Sequence, residues 1–353
     1  MTSRFKVLLA ILPVILPFCN PAISSAGQQP ATSAARPAAV KWVAPRTPWG
    51  DPDLQGLWPS IDMQGTPLER PASFGDRAVL TDAEFAAREE TSQRQSEADA
   101  ETTVVQRPRR GGGTGPPSHW GEHGIPTRQA SLIVDPPDGR MPPMTREGEQ
   151  RAKTIHSTYF LDFPDAVDAH AFEQFSDLGP YDRCITRGTL ASMLPTGYNM
   201  GTQIFQIPGF VIIRNEMIHE TRVITLDGRP HVGSKLRTYM GDSRGHWEGD
   251  TLVIETTNFN GKVGLTRNGN TTPVTPELKL TERLTRVDAK TLRYEATVSD
   301  PRTWTRPWTV SLPFTLHPEY GMFEYACHEG NYAMKHILSG ARAEESAVTH
   351  PIQ

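Results

Sequence analysis

The chain has 353 residues, with 36 basic against 40 acidic side chains and a formal net charge of −4. That balance offers no polycationic surface for nucleic acid. The length suits one large domain or two small ones, with ample material for a core.

The opening "MTSRFKVLLAILPVILPFCNPAISSAG" has the plan of a secretory signal peptide. Arg4 and Lys6 precede an apolar run from Val7 to Phe18, and "SSAG" supplies small residues for cleavage after Ala26. The run is too short to span a bilayer, and nothing like it recurs, so no membrane span is expected. Removing residues 1–26 takes away Cys19, Arg4 and Lys6 and moves the net charge from −4 to −6. The mature protein is expected to be periplasmic or secreted.

Residues 27–45, rich in Ala, Pro, Gln and Ser, form a flexible leader. Residues 46–199 are expected to be an irregular, partly helical region. In "RTPWGDPDLQGLW" turn formers alternate with Trp49, Leu54, Leu57 and Trp58, as in an extended arm pinned by its side chains. "LTDAEFAAREETSQRQSEADA" is the clearest helix, opened by a Thr81/Glu84 capping box. "SLIVDPPDGRMPP" is a strand followed by a turn, and a second helix covers roughly 145–158. From residue 200 to 342, β-rich runs alternate with short turns such as "IPG", "LDGRP", "EGD" and "VDAK". The fold class is therefore mainly β: an antiparallel barrel or strongly curved meander, with the N-terminal half wrapped on it. Residues 343–353 are left as a C-terminal tail.

Gly-rich phosphate loops, the G-x-S-x-G elbow, H-E-x-x-H and C-x-x-C are all missing, so no cofactor is predicted. A site must then be assembled from inward-facing polar residues of separate strands. In "LKLTERL", Glu282 shares a face with Leu278, Leu280 and Leu284; in "ETRVITL", Glu220 and Arg222 share one with Ile224 and Leu226. A carboxylate on an apolar face must be paired or protonated. These three residues therefore line either an interior polar network or a ligand cavity. His219, beside Glu220 and Arg222, is a candidate general acid or base. His246 stands at a barrel mouth, next to Glu248-Gly249-Asp250, which has hairpin-turn chemistry. Trp304 and Trp308 suit either core packing or a ring-binding platform. Arg183 and Arg187, with Tyr181 in "GPYDRCITRG", suit an anion, or dock the loop on the β-domain. His219, His231, His246 and His328 are too scattered to define a metal site.

Taken together, "SLIVDPPDGRMPP", "YDRCITRG", "EMIHETRVITLDGRPH", "GHWEGDTLVIETTNF", "LTERLTRVDAKTLRYEATVSDP" and "YACHEGNY" resemble an uncharacterised family of secreted bacterial proteins, over roughly residues 46–342. The resemblance implies export and a single architecture, and it carries over no catalytic residue. The β-domain also looks lipocalin-like, an analogy of fold alone.

The expected function is an exported enzyme whose His, Glu and Arg side chains perform acid–base chemistry on a small organic or sugar-like substrate. A lyase, isomerase or hydrolase fits, with His219, Glu220, Glu282 and His328 catalytic and Arg183, Arg222, His246, Trp304 and Trp308 binding substrate. The alternatives are a non-catalytic lipocalin-like carrier and a metal-dependent hydrolase. Export leaves Cys184 and Cys327 as the one intramolecular cysteine pair, expected to be bonded, with two separate buried thiols as the alternative. Read as a last strand, "EYACHEGNYAM" puts His328 with Glu324 and sets Cys327 on the opposite face with Glu329.

Overall fold

The computed structural model describes residues 42–100, 120–153, 172–266 and 272–349. The expected signal peptide, most of the expected leader, the last third of the helix expected over 145–158 and the last residues of the expected tail lie outside the described residues.

Ten strands form one curled, half-barrel sheet in the order β1-β3-β4-β5-β6-β7-β8-β9-β10-β2. Its body is the run expected from the sequence: β3 (Thr202–Ile207), β4 (Phe210–Asn215), β5 (Thr221–Thr225), β6 (Asp242–Glu248), β7 (Thr251–Thr257), β8 (Lys279–Arg286), β9 (Thr291–Ser299) and β10 (Trp308–Thr315). The turns are those that residue chemistry dictates. Gly209 and Gly249 take positive φ at two-residue hairpin loops; Asp250 is a turn residue as expected, whereas Glu248 closes β6, paired with Thr251. One junction departs from the meander. β5 and β6 meet in parallel through the single bridge Thr225–Arg244, because the long connection 226–241 returns the chain to the same end.

The N-terminal half is part of the same body. β1 (Gly56–Leu57) pairs with β3, and β2 (Ile133–Asp135) pairs with β10. Alternate residues of each strand face inward, so Ile204, Val211, Ile213, Ile224, Leu280, Leu284, Tyr294, Val310 and Phe314 form one core. Leu54, Trp58, Met63, Leu190 and Met193 fill the space over that inner face. The arm is fixed by Gln206, whose side-chain oxygen accepts from Leu54 N at 2.7 Å and whose amide donates to Pro52 O at 3.0 Å. The inner face is thus packed with chain, unlike an open lipocalin cup.

Among the described residues there are three α-helices. In α1 (Asp82–Ala100), Thr81 N donates to the Glu84 carboxylate at 2.9 Å and Glu84 N to Thr81 Oγ1 at 3.3 Å, completing the capping box. α2 (Arg146–Ala152) is capped by Thr145. α3 (Ala333–Thr349) occupies most of the stretch expected to be a tail. Met334, Ile337, Leu338 and Ala341 of α3 pack on Phe172 and Leu178. Among the described residues, no helix is long and apolar enough to cross a membrane.

Glu282 lies on the inner face and is fully buried. Arg222 reaches it from β5 with two parallel bonds of 2.7 and 2.8 Å, and the Tyr294 hydroxyl donates to Oε1 at 2.9 Å. Burial alone would lower the Arg222 pKa, but the Glu282 carboxylate outweighs it and the net shift is upward. Removing one partner leaves an uncompensated charge in the core. Arg222→Ala and Glu282→Ala should each cost about 3–5 kcal/mol, read from urea unfolding, while the double variant Arg222→Met/Glu282→Leu should recover most of that loss.

Candidate functional site

The polar chemistry of the molecule gathers at one end of the half-barrel, around "NEMIHE", the last residue of β4 and the five-residue connection to β5. The loop is closed by Asn215 N donating to Glu220 O at 2.8 Å. Its backbone is strained: Ile218 has φ 60° and ψ 15°, and His219 has φ 43°. Left-handed geometry is unfavourable for a β-branched residue and persists only where surroundings enforce it. Here Ile218 and Met217 are buried against Tyr181, Tyr198 and Tyr325. Cys184 and Asn199, also at positive φ, stand nearby in the chain segments that complete the site.

Glu216 is 1% exposed. Its carboxylate accepts from Asn199 Nδ2 at 2.9 Å, Gly201 N at 3.2 Å, Phe323 N at 2.7 Å and the Tyr320 hydroxyl at 2.7 Å. Those donors fill its lone pairs. Gly201 is obligatory here, since a Cβ would stand 2.7 Å from Glu216 Oε2 and 3.0 Å from the Tyr320 ring. Glu122 approaches the same tyrosine from the loop before β2. It accepts from Asn199 N at 2.7 Å and Met200 N at 3.1 Å, and its Oε2 lies 3.0 Å from the Tyr320 hydroxyl oxygen. Tyr320 has one proton for two carboxyl groups. The hydroxyl donates to Glu216 at 2.7 Å and faces Glu122 at 3.0 Å, and a proton held on Glu122 would satisfy both contacts at once. Burial, reinforced by Glu216 and opposed by the Met200 and Asn199 amides and the Tyr320 hydroxyl, raises the Glu122 pKa.

Glu220 points the other way, into a second buried cluster. Thr186 Oγ1 lies 2.6 and 2.7 Å from its two oxygens, and Ser192 Oγ donates at 3.4 Å. Burial raises its pKa as well. Arg187 is buried beside it; desolvation lowers its pKa to about 10, opposed by the surrounding tyrosines and Glu220. The hydroxyls of Tyr181 and Tyr325 are 2.7 Å apart, and burial pushes Tyr325 up to about 12. Tyr198 stacks on Tyr325, and the half-exposed Trp120 meets Tyr198 edge-on, with centroids 6.5 and 6.2 Å apart.

The Cys184–Cys327 disulfide is formed and ties these segments together across 143 residues. Cys184 N donates to Tyr181 O and Cys327 N to Tyr325 O, so the bond holds the two tyrosines in register. Residues 324–334 are not a strand. Pro318, Gly321 and Gly330 break the extended pattern; residues 324–332 are irregular chain, and Ala333 and Met334 open α3. The assignment of opposite faces to Cys327 and His328 therefore falls. His328 is exposed in a turn, away from the buried carboxylates.

The other expected site residues scatter. His219 is exposed at the rim, with Nδ1 3.3 Å from Tyr325 O. Arg222 and Glu282 belong to the core rather than to a cavity, because residues 54–63 and 190–194 fill the space above them. His246 faces outward, since Gly245 and Trp247 take the inward positions, and it contacts Glu248 at 3.3 Å. Trp304 and Trp308 pack edge to face, 2% and 0% exposed, so neither offers a ring platform. Arg183 is half-buried and forms no ion pair among the described residues, whereas Arg187 occupies the buried position. His231 pairs with Asp242 at 3.0 Å, apart from the other histidines. Among the described residues, no three His, Cys, Asp or Glu side chains are grouped to hold a metal ion.

Two outcomes follow. A carboxyl with a raised native pKa stabilises the fold fully below the ordinary glutamate value near 4.5 and loses that contribution as pH climbs through its native pKa. Urea midpoints should therefore fall with pH above that value, and Glu122→Gln, an isostere of the protonated acid, should flatten the profile. Peptide mapping of unreduced protein should find neither Cys184 nor Cys327 free, and breaking the bond should cost about 4–5 kcal/mol on the loop-entropy model.

No protein-family model matches the chain, and no curated protein or solved structure is similar to it, so the case for a function rests on the residues of this site.

Proposed function

We propose that the protein is an exported enzyme that performs acid–base chemistry on a small ring-bearing organic or sugar-like substrate. The Glu122–Tyr320–Glu216 chain is its proton donor. The observation that supports this most directly is one phenol hydroxyl shared by two carboxyl groups, an arrangement that a proton held on Glu122 would satisfy. An acid with a raised pKa, beside a polarised hydroxyl, is what a lyase, isomerase or hydrolase uses to protonate a leaving group or enolate. Arg187 and Glu220, one element away, add a cation and a second carboxyl with a raised pKa. Trp120 and Tyr198 present aromatic surface beside Glu122 and Asn199, suited to a ring. The apolar N-terminal segment and the disulfide both suit an exported protein.

Difference infrared spectroscopy at neutral pH should show a protonated carboxyl band that disappears in Glu122→Gln. Against a panel of esters, lactones and glycosides, the variant should keep ligand binding and lose turnover about 10²–10⁴-fold. The carrier alternative predicts binding without turnover in the wild type. A spectrum with no carboxyl proton assignable to Glu122 would remove the donor.

A further inference from the structure

A groove lined by Gln203, Arg214, His219, Met322, Phe323 and Glu324 runs along the outer face of β3 and β4. It shares a wall with the acid–base site, because Phe323 lines the groove and its backbone N–H binds Glu216 at 2.7 Å. Arg214 precedes Glu216 by two residues on the same strand end. Among the described residues, Arg214 forms no ion pair, and Glu324 in the same groove is not within ion-pair distance of it. A cross-strand carboxylate would stabilise an arginine at this position, but the registered neighbours of the half-buried Arg214 are Gln203 and Thr221. Glu324 is the groove's one acidic side chain, opposed by two basic ones.

Beyond this polar end the outer face turns apolar. Phe205, Ile212 and Val223 are registered partners across β3, β4 and β5, and Ile207 with Phe210 forms the next row. Phe205 is 41% exposed, Ile207 50% and Val223 56%, and Phe323 at 72% adds an aromatic ring at the groove. Solvent-facing strand positions ordinarily carry polar residues, and a contiguous apolar strip beside an unpaired arginine marks a binding surface.

We propose that this surface binds a carboxylate carried on an aryl or alkyl body, at a site of its own beside the acid–base site. The acid pairs with the Arg214 guanidinium, and the body lies along Phe205, Ile212 and Val223. The proposal goes beyond the acid–base reading, whose aromatic surface is Trp120 and Tyr198, and stands independently of it. A guanidinium recognises a carboxylate with two parallel bonds, and the apolar strip disfavours a polyhydroxylated ring.

The test is equilibrium binding of phenylbutyrate, its neutral analogue phenylbutyramide and the polar acid glucuronate, using the full mature chain. Phenylbutyrate should bind about tenfold or more tightly than the other two, a difference expected for one charge-assisted pair. Arg214→Gln should erase the preference for the acid over the amide, with Arg214→Lys retaining part of it. Val223→Thr should weaken phenylbutyrate without affecting glucuronate. Circular dichroism and urea unfolding of each variant establish that it is folded. Equal binding of acid and amide by the wild type, a preference that survives Arg214→Gln, or no binding of either aryl ligand would overturn the proposal. The acid–base site fails separately: a preference that depends on Arg214 together with full turnover in Glu122→Gln would leave this groove standing and remove the proton donor.

Discussion

The buried pair between Arg222 and Glu282 sets the terms for the rest of the molecule. It joins β5 to β8, strands separated by two others in the sheet, so it forms only when the sheet is curled. It also spans the place where the backbone ladder is thinnest, the single parallel bridge between β5 and β6. A charge pair at the centre of an apolar face is costly unless fully satisfied. Here the bidentate geometry and the Tyr294 hydroxyl satisfy the carboxylate and the two terminal guanidinium nitrogens, leaving Arg222 Nε without a partner, and residues of the N-terminal arm pack in the same core. The curl, the arm and the pair therefore require one another.

With the inner face packed, reactive chemistry is left to the end of the sheet, where regular pairing stops. There the "NEMIHE" connection turns Glu216 and Glu220 in opposite directions from one short strained loop. Each carboxyl enters a different buried network, and both networks are completed by chain from remote parts of the sequence. The strain at Ile218 and His219 is tolerated because the tyrosine cluster and the disulfide over-determine the loop.

The regular parts of this architecture were legible in the sequence. Period-two alternation located the strands of the sheet's body, and it put Glu282 and Arg222 on the apolar face. The Thr81–Glu84 box marked α1, and the cysteine count singled out the disulfide. What the pattern could not show is which inward carboxylates meet chain and which meet a ligand, because that depends on the arm folding over the sheet. The same limit hid Glu122 and Tyr320. Both lie in irregular segments with no periodicity, and their meeting is a tertiary event between residues 198 apart. Density of charge gave a weak signal at "NEMIHE", but read as strand it pointed to His219 instead of Glu216. The "YACHEGNY" segment failed for a related reason, since its two tyrosines mimic a strand while Gly330 prevents one.

The two outermost strands carry a consequence of their own. The ring closed by Cys184 and Cys327 contains every strand from β3 to β10, while β1 and β2 come from chain that precedes it. Those two, of two and three residues, cover the open sides of β3 and β10. Uncovered, each side would present unpaired amides and carbonyls to any other extended chain, the commonest route to edge-to-edge aggregation. Colloidal behaviour in a crowded compartment is thus lodged in the least regular third of the protein. An early misfolding or clipping of that region would turn a self-contained sheet into a template for its own copies.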